Sequence, residues 1–177
     1  RLYFSRLSRT TVLERPQRSG TPGTANTAHT ENLGPTFGPL QAMVAVPATG
    51  EPLDVRVAIA DPDGVEAAVL WSRVDGDAWT SSAMIDNDGT WTGAIPGQPA
   101  GTVVQYFVEA IDARGATATM PARGPDARAL VQWDDGLAVS EGPQNLRLIM
   151  LAEDSARLLE PTNLMSNDTI GATVVYN

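Results

Sequence analysis

The chain has 177 residues and a formal charge of −9, from 12 basic residues, all of them Arg, against 21 acids; it holds one His and no Cys. That length suits one domain with flanks, or two small ones. The absence of cysteine excludes a disulfide scaffold, a thiolate metal site and a cysteine nucleophile; one histidine excludes a multi-histidine zinc centre, and the acidic balance argues against nucleic acid as a partner. The chain starts at Arg1 and reads as a piece of a longer protein. Residues 1–18 carry five Arg and a single acid, Glu14. They are either a basic arm for an anionic polymer or the edge of a preceding domain. Residues 15–52 are rich in Pro, Gly and Thr, including Pro22, Gly23, Gly34, Pro35, Gly38 and Pro39, with no surviving period, which reads as linker. His29 lies in it, where nothing fixes a second shell, so it reads as an ordinary exposed residue.

From about Gln41 to Trp133 the apolar period is two. Leu53, Val55, Val57 and Ile59 alternate with Asp54, Arg56, Ala58 and Ala60, the mark of a half-buried strand. Asp61-Pro62-Asp63-Gly64 turns the chain. Val65 to Val74 is apolar on both faces and reads as a strand central in its sheet, with Val69 and Trp71 in the core. After Asp75-Gly76-Asp77, Trp79 to Ile85 is the next strand. Asp86-Asn87-Asp88-Gly89 is a hairpin turn leading into Thr90 to Ile95. Val104, Tyr106, Val108 and Ala110 alternate again, and Ala113-Arg114-Gly115 leads into Ala116 to Met120. About seven short strands with a turn between each predict a mainly β fold: two antiparallel sheets packed as an immunoglobulin- or fibronectin-III-like β-sandwich, with an extended N-terminal linker and a short α+β C-terminal flank. Leu146–Met150 reads as a strand, Glu153–Glu160 as a short helix ended by Pro161, and Ala172–Asn177 as a strand.

Three stretches resemble known families. Tyr106-x-Val108-x-Ala110-x-Asp112-x-x-Gly115 resembles the penultimate strand and turn of fibronectin type III domains. The resemblance implies a buried Tyr106 ring and a turn served by Gly115. Ser19-Gly20-Thr21-Pro22-Gly23-Thr24-Ala25-Asn26 is similar to the closing run of bacterial lamin-tail-like domains. The order strand, Asp-x-x-x-Leu-Leu helix, Asn-rich loop with Asn167 and Asp168, then Ala172-Thr173-Val174-Val175-Tyr176-Asn177 resembles the opening of the CotH family, kinase-like proteins first known from spore coats. The divisions that follow are 1–26 as the tail of a preceding domain, 27–40 as linker, 41–135 as the β-sandwich, and 136–177 as the start of a CotH-like domain. The CotH resemblance implies nucleotide- and metal-binding residues beyond Asn177, so none is carried onto this chain.

The acidic turns offer oxygens to calcium: Asp61 and Asp63, Asp86 and Asp88, and Asp134 and Asp135. None shows a complete ligand set, and turn stabilisation by Asp and Asn explains each as well, so no metal and no cofactor is expected. Trp79 and Trp91 flank one hairpin, rimmed by Thr80, Ser82, Thr90 and Thr92. They form either a sugar-stacking platform or a packed cross-strand pair. No nucleophile–base set and no phosphate loop is present. The function expected is a non-catalytic accessory or spacer module of a large secreted bacterial CotH-like protein, extracellular or at the cell surface, with neighbouring domains of its own chain as partners and no membrane insertion. A polysaccharide-binding module using Trp79 and Trp91, and an inactive fragment of a CotH-like kinase, are the alternatives.

Overall fold

A computed structural model describes residues 3–4, 31–137, 146–163 and 170–176. In chain order the strands are β1 (Tyr3–Phe4), β2 (Thr36–Phe37), β3 (Gln41–Ala42), β4 (Leu53–Ala60), β5 (Val65–Val74), β6 (Thr80–Ala83), β7 (Ile85–Asn87), β8 (Thr90–Ile95), β9 (Val103–Asp112), β10 (Thr117–Met120), β11 (Ala129–Gln132), β12 (Leu146–Ile149) and β13 (Ala172–Tyr176). The helix α1 (Ala152–Leu159) lies between the last two strands. His29, the 19–26 run, and Asn167 and Asp168 lie outside the described residues.

Two antiparallel sheets face each other. In the first, β4 and β8 are central, β7 flanks β8, and β2 and β3 follow one another along the free side of β4. In the second, β5 and β9 are central, β6 flanks β5, and β10 and β11 divide the free side of β9 between them. The strict alternation of β4 turns Leu53, Val55, Val57 and Ile59 inward. They meet Ala68, Leu70, Val104, Tyr106, Val108 and Val131 of the opposite sheet. Trp133 closes one end of the core, fully buried, with Nε1 donating to the Glu51 carbonyl at 2.8 Å. The β-sandwich expected from the turn spacing is the fold observed, and Tyr106 is in its core.

Three local expectations need correction. The stretch Trp79 to Ile85 is two strands: the chain leaves one sheet after Ala83, buries Met84 in the core, and enters the other at Ile85. Val69 and Trp71 face outward from β5, while Ala68 and Leu70 fill the core. Both faces of β5 are covered, so its composition carried no parity signal. The linker reading of 27–40 also gives way over its second half. Thr36 and Phe37 pair with Ala60 and Ile59, Leu40 is in the core, and the Asn32 amide donates to Asp112 Oδ2 at 2.8 Å.

The C-terminal flank has the expected strand–helix–strand order and packs on the sandwich. Its sheet runs β1-β13-β12, so the two chain flanks pair with each other through Tyr3 and Phe4. No helix among the described residues is long and apolar enough to cross a membrane.

Candidate functional site

The four tryptophans divide differently from their sequence reading. Trp91 points into the core at 6% exposure. Trp79 lies in the loop before β6, over the outer face of the second sheet. The hairpin therefore does not present the pair as one open platform. The aromatic grouping that does form is Trp71, Phe107 and Trp79. Trp71 and Phe107 are cross-strand neighbours with rings 9° from parallel at 6.0 Å. Trp79 meets Phe107 edge-on at 5.0 Å. The Arg73 guanidinium sits 4.6 Å from the Trp79 ring centre and donates to Gln105 Oε1 at 3.1 Å. These rings spend their faces on one another and bury Phe107, which is the packing use of aromatic pairs.

The acidic turns resolve into turn chemistry. Asp61, Asp63 and Asp112 bring carboxylate oxygens within 4.8 Å of one another. The Asp63 N–H donates to Asp61 Oδ1 at 2.8 Å, and Asp63 pairs with Arg114 at 3.3 Å. Asp112 is fully buried; its Oδ1 accepts the N–H groups of Arg114 and Ala116, both at 2.8 Å, while Oδ2 accepts from Asn32. Burial opposes its ionisation, but the Ala116 N–H, the Asn32 amide and the Arg114 and Gly115 N–H groups hold the carboxyl below its ordinary value. In the hairpin, Asp88 (φ 54) and Gly89 (φ 80) take the left-handed conformations of a type I′ turn, and Asp86 Oδ1 accepts the Gly89 N–H at 2.8 Å. The Asp86 carboxylate is thus used by the turn, and Asp88 serves it through its backbone conformation.

With Trp91 turned inward, alternation sends Thr90, Thr92 and Ala94 to the outer face of the first sheet. There a groove of about 560 Å³ runs across β4, β8 and β7. Its floor is low because Thr92 and Ala94 are short. Its walls are longer: Asp54 and Arg56 on β4, Ile85 and Asn87 on β7. Asp54 and Arg56 are exposed and bond to no other side chain among the described residues. The Asn87 amide nitrogen donates to Thr92 Oγ1 at 3.0 Å and to the Ile85 carbonyl at 3.4 Å. Ile85 is 68% exposed. The sequence expectation set Thr90 and Thr92, with Thr80 and Ser82, around a Trp79–Trp91 platform; alternation instead puts Thr90 and Thr92 on the face opposite Trp91, and the groove and its walls were not foreseen. The available signal was Asp54 and Arg56 at alternating, outward positions of β4.

A second feature lies at the far end of the other sheet. Leu130 of β11 packs outward with Ile149 and Leu151, supported by Val103 and Val175. The Leu130 N–H donates to Thr173 Oγ1 at 3.3 Å. Arg147 donates through Nε to Gln132 Oε1 at 3.2 Å and pairs with Asp135 at 2.7 Å. The N–H of Leu137 lowers the Asp135 carboxyl, burial opposes this, and Arg147 adds to the lowering. Asp134 and Asp135, candidate calcium ligands by sequence, thus belong to a junction between the sandwich and its flank.

No family model and no curated protein matches this chain. A solved structure described as "Crystal structure of Br derivative BhCBM56" is similar at a TM-score of 0.38 and 15% identity, over 59% of this chain and 96% of that one. At that TM-score the likeness bears on neither ligand nor family.

Proposed function

We propose that the chain is a non-catalytic β-sandwich accessory module that seats the segment following it, residues 146–176, in a fixed position within a secreted bacterial protein. The observation that carries this reading is the Leu130–Ile149–Leu151 cluster crossed by Arg147. Burying Ile149 and Leu151 contributes about 1.5–3 kcal/mol for each side chain. The partly buried ion pair adds direction to a contact that apolar packing alone leaves free to slide. The CotH-like pattern of 136–177 and the lamin-tail-like run of 19–26 support a place for the 41–135 sandwich between two such neighbours, outside the cell. On this reading any kinase-like chemistry belongs to the CotH-like part of the protein.

Hydrogen exchange in Leu130→Ala and Arg147→Ala variants tests the reading. Residues 146–151 and 172–176 should exchange faster while 53–60 and 103–112 keep their protection. Unchanged exchange in the flank would remove the support.

A further inference from the structure

We propose that the outer face of the first sheet binds a neutral, hydroxyl-rich saccharide in the groove between Asp54 and Arg56 on one side and Ile85 and Asn87 on the other. This inference rests on a different face from the junction above and stands or falls independently of it. The groove is open and shallow, about 560 Å³ over the sheet face, so it suits a sugar chain laid along the strands and not an enclosed small molecule. Its chemistry is specific. Asp54 supplies an acceptor and Arg56 a donor fork, two residues apart on one strand and pointing the same way. Among the described residues neither side chain is engaged by another, so neither must be released from one before a ligand binds. A vicinal pair of hydroxyls, each both donor and acceptor, satisfies both groups at once. Beside them, the Asn87 side-chain oxygen and the Thr90 hydroxyl add neutral partners, while the Thr92 hydroxyl is tied to Asn87 and the Ile85 carbonyl and holds that wall in place.

Ile85 supplies the remaining element. A large aliphatic side chain 68% exposed in a short strand has no core to fill. Placed on the groove wall, it offers an apolar surface to the C–H face of a sugar ring. Net charge selects the ligand class. One acid and one base leave the groove itself neutral, while the chain carries −9 overall. An anionic sugar would meet repulsion from the whole surface and compete with Asp54 for Arg56. A cationic ligand would find a single carboxylate beside a guanidinium. A neutral polyol meets neither penalty.

The test is amide-resolved NMR titration of the full chain with neutral hexasaccharides at millimolar concentration (maltohexaose, cellohexaose, xylohexaose, mannohexaose), with an oligogalacturonate as the anionic control. At least one neutral member should shift the amides of Asp54, Arg56, Ile85, Asn87 and Thr92. Arg56→Ala should weaken that binding about ten- to hundredfold, the loss of a charge-assisted hydrogen bond, and Ile85→Ser should weaken it further. Both sites are exposed, so the melting temperature of each variant should match the parent. Silence from every neutral hexasaccharide would overturn the proposal. So would shifts confined to Trp71, Trp79 and Phe107, binding unaffected by Arg56→Ala, or preference for the oligogalacturonate.

Discussion

Replacing Trp91 and Trp79 separately by Ala distinguishes a core tryptophan from a covering one. Trp91 is opposite Val57 on the neighbouring strand and lies inside the sandwich at 6% exposure. Its truncation leaves a cavity in the buried cluster beside Val57, and costs about 3–5 kcal/mol. That is a large share of the roughly 5–15 kcal/mol that holds a domain folded. Trp79 loses less. Its edge contact with Phe107 contributes about 0.5–1.5 kcal/mol, and the Arg73 guanidinium over its ring about 0.5–1 kcal/mol. The sum is about 1–2.5 kcal/mol, with Phe107 uncovered. Urea unfolding followed by far-UV circular dichroism reads both without depending on tryptophan fluorescence. The midpoint should fall in both variants, more steeply in Trp91→Ala, with an unchanged slope. Trp91→Phe provides a milder variant if Trp91→Ala does not fold. A Trp79→Ala variant as unstable as Trp91→Ala, or a Trp91→Ala loss below about 1 kcal/mol against the range expected for core aromatics, would refute the assignment of faces.

Three further outcomes follow from named contacts. A Cβ on Gly34 would lie 2.5 Å from the Thr117 carbonyl oxygen, so Gly34→Ala should detach residues 31–40 and increase exchange of the Gly38 amide, which donates to the Ala58 carbonyl at 2.8 Å, measured by hydrogen exchange. The carboxyls of Asp112 and Asp135 are held below the ordinary aspartate value of 3.8. Their stabilisation is therefore present above that value and lost as pH falls through their lower folded-state values; Asp112→Asn should flatten the acid limb of a melting-temperature profile. Calcium should leave the melting temperature where chelator leaves it, because Asp112 spends both oxygens on protein donors and Asp63 pairs with Arg114; a rise lost in Asp61→Ala would contradict this.

Much of the sandwich is legible because β4 and β9 carry one apolar face and the turns carry Asp, Asn and Gly. The alternation around Val55 and Tyr106 fixes which side is core. Around Val69 it does not: the outer face of β5 is itself covered by the Trp79 loop, and a strand covered on both faces loses its period. The switch at Met84 left no mark because β6 and β7 are both exposed, short and in line. β11 was missed for its length, and for the Pro and Gly residues before it. The groove was hidden for another reason. Its walls come from strands some thirty residues apart, Arg56 and Ile85, and only the register Arg56↔Thr92↔Ile85 brings them together. The Leu130 cluster was invisible likewise, since Leu130 reads as one more strand residue until Ile149 is placed on it.

The most direct test of the module as a fixed seat for its C-terminal flank is a distance across the junction. The chain has no cysteine, so Ser81→Cys on the exposed edge strand β6 and Ala156→Cys on α1 accept two unique spin labels. Double electron–electron resonance between them should give one narrow distance, broadened when Leu130→Ala and Arg147→Ala are added. A broad distribution in the otherwise unaltered chain would contradict the account.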